Sequence, residues 1–100
     1  MKKVVLFCAA GMSTSMLVNR MKKSCETQNL DYDIAAYPIS EAKIYGPDAD
    51  IILLGPQVKY KLNDTKAQFA DKPVEPINMT DYGMMNGDNV VAFVKKVLGD

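Results

Sequence analysis

The sequence contains no histidine and only two cysteines in its 100 residues. The absence of histidine excludes a Cys/His zinc site and a Cys–His catalytic pair. Cys8 and Cys25 lie 17 positions apart, so they do not form a Cys-x-x-Cys redox motif, and no structural disulfide is expected in a reducing cytoplasm. Any chemistry at a thiol therefore proceeds without an imidazole from the same chain.

An excess of charge and a long hydrophobic run are also missing. Twelve Lys and Arg balance twelve Asp and Glu, and the basic residues are scattered, so the sequence predicts no nucleic-acid partner. The longest apolar run, residues 51–54, is far shorter than a membrane span, and the N-terminus lacks the features of a signal peptide. We expect a cytoplasmic protein that does not insert into the membrane.

What remains is the composition of an ordinary globular protein, with 48% apolar and 24% charged residues. This length suits one modest hydrophobic core, so residues 1–100 are expected to form a single domain. No internal repeat or low-complexity segment divides the chain.

Apolar runs without alternation at residues 4–7 and 50–54 are typical of strands buried on both faces of a parallel sheet. Further strands are predicted at residues 32–37, near an edge, and 73–77. Helices are predicted at residues 15–29, 40–45, 58–69 and 89–98, with a loop at 79–88. This alternation predicts an α/β fold of three layers: a four-stranded parallel sheet with helices on both faces and a phosphate loop between the first strand and the first helix.

In the first helix, apolar and small residues recur at three- and four-residue spacing, which predicts one face packed on the sheet. The residues expected on this inward face are Leu17, Val18, Met21, Cys25 and Gln28. Core packing is therefore the preferred interpretation of Cys25.

The segment between the first strand and this helix is suited to binding an anion. A helix N-terminus offers unpaired N–H groups and a partial positive charge, and a glycine lets more N–H groups converge. Seven residues are predicted to bind phosphate through these groups and their hydroxyls: Ala9, Ala10, Gly11, Met12, Ser13, Thr14 and Ser15.

Cys8 stands directly before this segment, where the same field stabilises a thiolate and favours nucleophilic attack on phosphorus. Simple packing of a buried cysteine is the alternative. Candidate border residues follow the third and fourth strands on the carboxyl side of the sheet: Gly55, Pro56, Gln57, Asp81 and Tyr82. For these residues, strand termination and turn formation remain alternatives, and Met12 and Met16 fit either an apolar rim for partners or core filling.

Residues 8–15, followed by Met16, Leu17 and Val18, resemble the phosphocysteine loop of one group of IIB components of the bacterial phosphoenolpyruvate-dependent sugar phosphotransferase system. This is the group specific for lactose, cellobiose and N,N'-diacetylchitobiose. Residues 53–58 and 72–75 extend the resemblance to nearly the whole chain.

The resemblance implies a phosphotransferase that carries a phosphoryl group on Cys8. A histidine of a IIA partner would donate the group, and a sugar held by the membrane IIC component would accept it. The implied protein is cytoplasmic, associates peripherally with IIC, and needs neither a cofactor nor a metal.

Three alternatives stay open. Low-molecular-weight tyrosine phosphatases also place a cysteine in a loop after the first strand, and Asp81 would then imitate their general acid. However, they require an arginine six positions after the cysteine, where this chain has Thr14. A flavodoxin-like module would bind a flavin or nucleotide phosphate, but no Gly-x-Gly-x-x-Gly is present. The third alternative is an interaction protein with an inert thiol.

Overall fold

Four strands form one sheet in the computed structural model, which describes residues 1–9 and 14–100. The strands are β1 (Lys2–Cys8), β2 (Tyr32–Pro38), β3 (Ile51–Leu54) and β4 (Val74–Pro76). Their order across the sheet is β2-β1-β3-β4, and every neighbouring pair is parallel. The continuous apolar runs of β1 and β3 occupy the centre, where both faces are covered. The predicted four-stranded parallel sheet is confirmed, with β2 at an edge.

Helical segments connect the strands. The α-helices are α1 (Ser15–Gln28), α2 (Ala42–Tyr45), α3 (Leu62–Gln68), α4 (Met79–Gly83) and α5 (Gly87–Leu98). Two 3-10 turns, Ile39–Glu41 and Pro56–Lys61, precede α2 and α3. The predicted helix over residues 58–69 is therefore a 3-10 turn followed by an α-helix of seven residues.

Side chains of β1 alternate between two hydrophobic clusters. Val4 and Leu6 belong to the cluster that α1 and α5 cover, whereas Val5 and Phe7 belong to the cluster on the opposite face. The second cluster includes Phe69, which directly follows α3. Helices therefore cover both faces of the sheet, as predicted for a fold of three layers.

The segment predicted as a loop, residues 79–88, is the clearest error of the sequence analysis, because it contains α4 and the start of α5. The Asn78 side-chain oxygen accepts hydrogen bonds from the N–H groups of Thr80 (2.9 Å) and Asp81 (3.1 Å) and thereby caps α4. Asn86 caps α5 in the same way through the N–H of Asn89, at 3.1 Å. These two asparagines convert a segment rich in turn residues into helix starts.

A second correction concerns the inward face of α1. Gln28 was predicted to lie inward, but it is exposed, and Ser24 is buried in its place. The Gln28 side-chain amide donates to the Ser24 hydroxyl at 2.8 Å, which satisfies the buried oxygen. The other four predicted members of the face are buried, as expected.

Gly87 marks the closest approach between α5 and α1. A Cβ atom at this position would lie 2.6 Å from the carbonyl carbon of Arg20 and 2.7 Å from the nitrogen of Met21. Both contacts are with backbone, which cannot move aside without shifting the helix. The two helices therefore pack at a distance that only glycine allows.

We expect Gly87→Ala to lower the free energy of unfolding by about 1–3 kcal/mol, the usual cost of forcing extra volume into a packed interior. Gly83→Ala is the matched control, since a Cβ there meets nothing within 4 Å. That control should be neutral or stabilising by up to about 1 kcal/mol, because alanine is the better helix former. Urea denaturation measures both, and equal midpoints for the two variants would contradict the close approach.

Candidate functional site

Cys8 is the last residue of β1 and is completely buried. It pairs in register with Pro38 of β2 on one side. On the other side, the chain leaving β3 is held by a hydrogen bond from the Gly55 N–H to the Phe7 carbonyl, at 2.9 Å. The thiol therefore lies at the carboxyl end of the central strand, where ligands of parallel α/β sheets bind.

The hydroxyl of Thr14 faces this thiol. Thr14 Oγ1 and Cys8 Sγ are 3.3 Å apart, within hydrogen-bonding distance for sulfur, and both residues are completely buried. Thr14 is the N-cap of α1, but its side chain makes no capping hydrogen bond. The sequence analysis assigned the hydroxyls of this segment to phosphate binding, and the Thr14 hydroxyl is directed at the cysteine.

The start of α1 supplies an electropositive end next to Cys8. The Thr14 carbonyl accepts from the Val18 N–H at 2.9 Å, which closes the first turn, and no acidic residue lies in that turn. The partial positive charge at this helix end is therefore not offset by a carboxylate of the same turn. Ala9 and Ser15, the first and last residues of the predicted phosphate-binding segment, are exposed. The predicted phosphate-binding residues Ala10, Gly11, Met12 and Ser13 lie outside the described residues.

Gly55 brings two other predicted border residues, Gln57 and Tyr82, close to Cys8. A Cβ atom on this glycine would lie 3.5 Å from Cys8 Cβ, 3.6 Å from Tyr82 Cε2 and 3.0 Å from Gln57 Oε1. The missing side chain of Gly55 therefore leaves a space that Cys8, Tyr82 and Gln57 surround. Its backbone is extended (φ −64°, ψ 157°), so no strain requires glycine here, and a Cβ atom would displace only the end of the flexible Gln57 side chain.

The sequence predicts that Asp81 and Tyr82 lie in a loop. This prediction is wrong, because both residues belong to α4. Tyr82 is half-buried and packs against the cluster under α1 and α5 as it approaches Gly55. Asp81 instead accepts a hydrogen bond from the Asn89 side-chain amide at 3.0 Å. It lies in a groove together with Pro56. Asn78, which sets the start of α4 and thereby positions Tyr82, escaped the sequence analysis, although an asparagine before Met-Thr-Asp is a recognisable N-cap signal.

Within residues 1–9 and 14–100, no group of three or more Cys, Asp or Glu side chains is arranged to hold a metal ion. Over the same residues, none of the helices combines the length and apolar character required to cross a bilayer. Cys8 and Cys25 are both thiols and do not form a disulfide.

Cys25 lies on the inward face of α1 and is 3% exposed, which confirms its predicted place in the core. Burial raises the pKa of the Cys25 thiol, because the apolar surroundings disfavour the thiolate. At a given pH this group therefore has a smaller fraction of its nucleophilic form than an exposed cysteine.

Comparison with known proteins gives a consistent set of relatives. The family described as the lactose/cellobiose-specific IIB subunit of the PTS system matches residues 3–93. A galactose-specific EIIB component from Lactococcus lactis subsp. cremoris and a cellobiose-specific EIIB component from Lactococcus lactis subsp. lactis are each 40% identical over 104 residues. Each alignment covers 97% of this chain and 96% of the relative. An oligo-beta-mannoside-specific EIIB component from Bacillus subtilis is 38% identical, covering 87% and 86%.

Solved structures agree. The cellobiose-specific phosphotransferase IIB component from Borrelia burgdorferi superposes with a TM-score of 0.80 at 33% identity, covering 96% of this chain and 90% of that one. A lactose-specific IIB domain from Streptococcus pneumoniae superposes with a TM-score of 0.82, covering 96% of both chains. At 18% identity, this second likeness bears on the fold alone.

We expect Cys25 to stay unmodified when the native protein is treated with iodoacetamide at neutral pH, because the reagent attacks thiolates and the raised pKa and burial both suppress this form. As the pH rises, its labelling should lag behind that of an unfolded thiol. Peptide mapping after timed quenching measures the modification, and labelling in guanidinium chloride is the control. Equal rates for Cys25 in native and denatured protein would contradict the assignment.

Proposed function

Because the chain belongs to the family of lactose/cellobiose-specific IIB subunits of the phosphotransferase system, we propose that it carries a phosphoryl group on Cys8. Proteins of this family take part in sugar transport and work with IIA and membrane IIC components. The observation that carries the finer proposal is the Thr14 hydroxyl, which lies 3.3 Å from Cys8 Sγ at the electropositive start of α1.

Two transfers make up the proposed cycle. In the first, the Cys8 thiolate attacks phosphorus on a phosphohistidine of a IIA protein, so that an S–P bond forms while the N–P bond breaks and the imidazole retains the electron pair. In the second, a sugar hydroxyl bound by IIC attacks the phosphorus, the S–P bond breaks, and the thiolate leaves. The hydroxyl proton passes to a base on the acceptor side. The 100 residues contain no histidine, so the donor histidine lies outside them.

Each transfer needs donors that hold the phosphoryl oxygens without trapping the group. We assign this role to the Thr14 hydroxyl and to the backbone N–H groups of the segment from Ala9 to Ser15. Gly55, Gln57 and Tyr82 would border the phosphoryl group, since they surround the space beside Cys8. Pro56 and Asp81 are the sequence neighbours of Gly55 and Tyr82, line the adjoining groove and are assigned to the rim.

A phosphatase reaction is less well supported. Thr14 stands where a phosphatase of this kind needs an arginine, and its hydroxyl cannot clamp a phosphate as a bidentate guanidinium does. Asp81, which would serve as the general acid of a phosphatase, already accepts a hydrogen bond from the Asn89 side-chain amide. Thr14 therefore favours a thiol that passes phosphate to a second acceptor over one that releases it to water.

For the sugar, we propose a disaccharide or β-glycoside of the cellobiose, chitobiose or lactose type. The cellobiose and oligo-beta-mannoside specificities named for two relatives support this class, whereas a third relative, 40% identical, is named for the monosaccharide galactose. The protein would act at the cytoplasmic face of the membrane, where IIC presents the sugar.

We expect one phosphoryl adduct when the protein is incubated with phosphoenolpyruvate, the general phosphotransferase components and a IIA component. Intact-mass spectrometry measures the adduct, which Cys8→Ser should abolish because serine is a far weaker nucleophile at neutral pH. Cys25→Ser is the matched control and should retain it. The absence of an adduct on the unmodified protein would refute the carrier function, and sustained turnover of an aryl phosphate would indicate a phosphatase.

Thr14→Val should slow phosphoryl uptake by about tenfold to a hundredfold, the usual effect of losing one hydrogen bond to a charged group. The fold should survive, since the Thr14 side chain does not cap α1 and valine has nearly the same shape. Thr14→Ser retains the hydroxyl and should restore most of the rate. Quenched-flow measurement of adduct formation tests both, and equal rates for the valine and serine variants would show that backbone groups suffice.

A further inference from the structure

A groove of about 690 Å³ runs along the β4 edge of the molecule. It lies on the face of the sheet that α1 and α5 cover. Its floor consists of Leu53, Ile77 and Val90, which are almost completely buried. Phe93 and Met79 stand at its sides and are 38% and 73% exposed. Large apolar side chains therefore remain open to solvent above an apolar floor, as at sites that accept a partner.

The groove exists because α5 packs beside α1 rather than over β4. Leu53 of β3 and Glu75 of β4 are partners in register, so both side chains point to the same face. A glutamate thus occupies a position where the neighbouring strand has a core leucine. An inward-pointing charge is one of the features by which edge strands avoid pairing with other chains.

This groove adjoins the Cys8 site. Pro56 in its wall directly follows Gly55, and Asp81 directly precedes Tyr82. Gly55 and Tyr82 are two of the residues that surround the space beside Cys8. A partner that reaches the thiol from this side therefore also covers the groove.

The charges of the groove indicate the chemistry of its occupant. Two carboxylates, from Glu75 and Asp81, line it together with one ammonium group, from Lys59. The complementary segment carries a cationic side chain next to an apolar one. By contrast, exposed positions of α1 include the cations Arg20, Lys22 and Lys23, which would repel such a segment.

Cytoplasmic loops of membrane proteins carry an excess of Lys and Arg. Resting on the proposed function, which supplies a membrane acceptor for the phosphoryl group, we infer that the groove binds a basic and apolar cytoplasmic segment of the IIC component. Phe93 and Met79 contact its apolar side chain, and Glu75 attracts its cation. This interaction positions the sugar-bearing partner over phosphorylated Cys8 and plays no part in phosphoryl uptake from IIA.

Two groove variants and two matched controls test the inference. Glu75→Lys reverses the charge of the groove, and Asp71→Lys makes the same change at an exposed turn after α3, on the opposite face of the sheet. Phe93→Ala removes the apolar side, and Ile44→Ala removes a more exposed apolar side chain on α2. Glu75→Gln removes the charge without reversing it, should the lysine variant fold poorly. Urea midpoints establish that each variant is folded.

Phosphoryl transfer is measured in two stages. Uptake from phosphoenolpyruvate through IIA is followed by mass, and transfer from the phosphorylated chain to radiolabelled cellobiose is followed in membrane vesicles containing the cognate IIC component. We expect Glu75→Lys and Phe93→Ala each to raise the KM of the second stage about tenfold, with kcat and the first stage unchanged. Added salt should reduce the difference in KM between Glu75→Lys and the unmodified protein, because it screens charges, and should not reduce the difference for Phe93→Ala. The control variants should match the unmodified protein in both stages.

If both groove variants have an unchanged KM in the second stage while the unmodified protein transfers phosphate normally, the groove inference is overturned and the proposed function stands. An equal rise of KM in the first stage would also overturn the inference and would indicate that the groove binds the IIA donor. Dimerisation that Phe93→Ala abolishes in sedimentation velocity would overturn it in favour of a second copy of the chain. Failure of the unmodified protein to take up phosphate, or to pass it to any of cellobiose, chitobiose and lactose, would instead refute the proposed function itself.

Discussion

The contact between Cys8 Sγ and Thr14 Oγ1 joins the end of the central strand to the start of the first helix, and the rest of the site depends on this junction. For the two atoms to lie 3.3 Å apart, β1 must end and α1 must begin at fixed positions. The first condition follows from pairing of β1 with strands on both sides, and the second from packing of α1 on the cluster beneath it. The core therefore determines the geometry of the thiol.

The site is assembled from the carboxyl ends of strands that are distant in sequence. Parallel pairing of β1 with β3 brings Gly55 beside Cys8, and the hydrogen bond from the Gly55 N–H to the Phe7 carbonyl fixes that approach. Tyr82 arrives from α4, whose start is set by Asn78. The thiol for which we propose a phosphoryl-carrying role is thus held by paired strands and packed helices.

Much of this arrangement follows from the amino-acid sequence. The unbroken apolar runs of β1 and β3 are sufficient to predict a parallel sheet, because few other structures bury every side chain of a strand. The position of Cys8 at the end of β1, and the core position of Cys25, follow from the same patterns. Gly55 falls beside Cys8 because both residues terminate central strands of one sheet.

Other features could not be obtained in this way. Short helices such as α4 have little periodicity to detect. The turn-forming residues around α4 therefore led to the prediction of a loop, although Asn78 provides a helix cap. Gln28 continued the inward spacing of α1, but a long polar side chain near a helix end can reach solvent, and Ser24 filled the space. The groove along β4 depends on how α5 lies across the sheet, which is a property of tertiary packing.

Both edge strands of the sheet end in proline, β2 at Pro38 and β4 at Pro76. Proline has no backbone N–H, so it cannot donate to an added strand. An exposed sheet edge is otherwise a template for aggregation or strand exchange between molecules. A carrier that meets its partners repeatedly benefits from such edges, because contacts made by side chains over a face dissociate readily, whereas a continuous ladder of backbone hydrogen bonds would not.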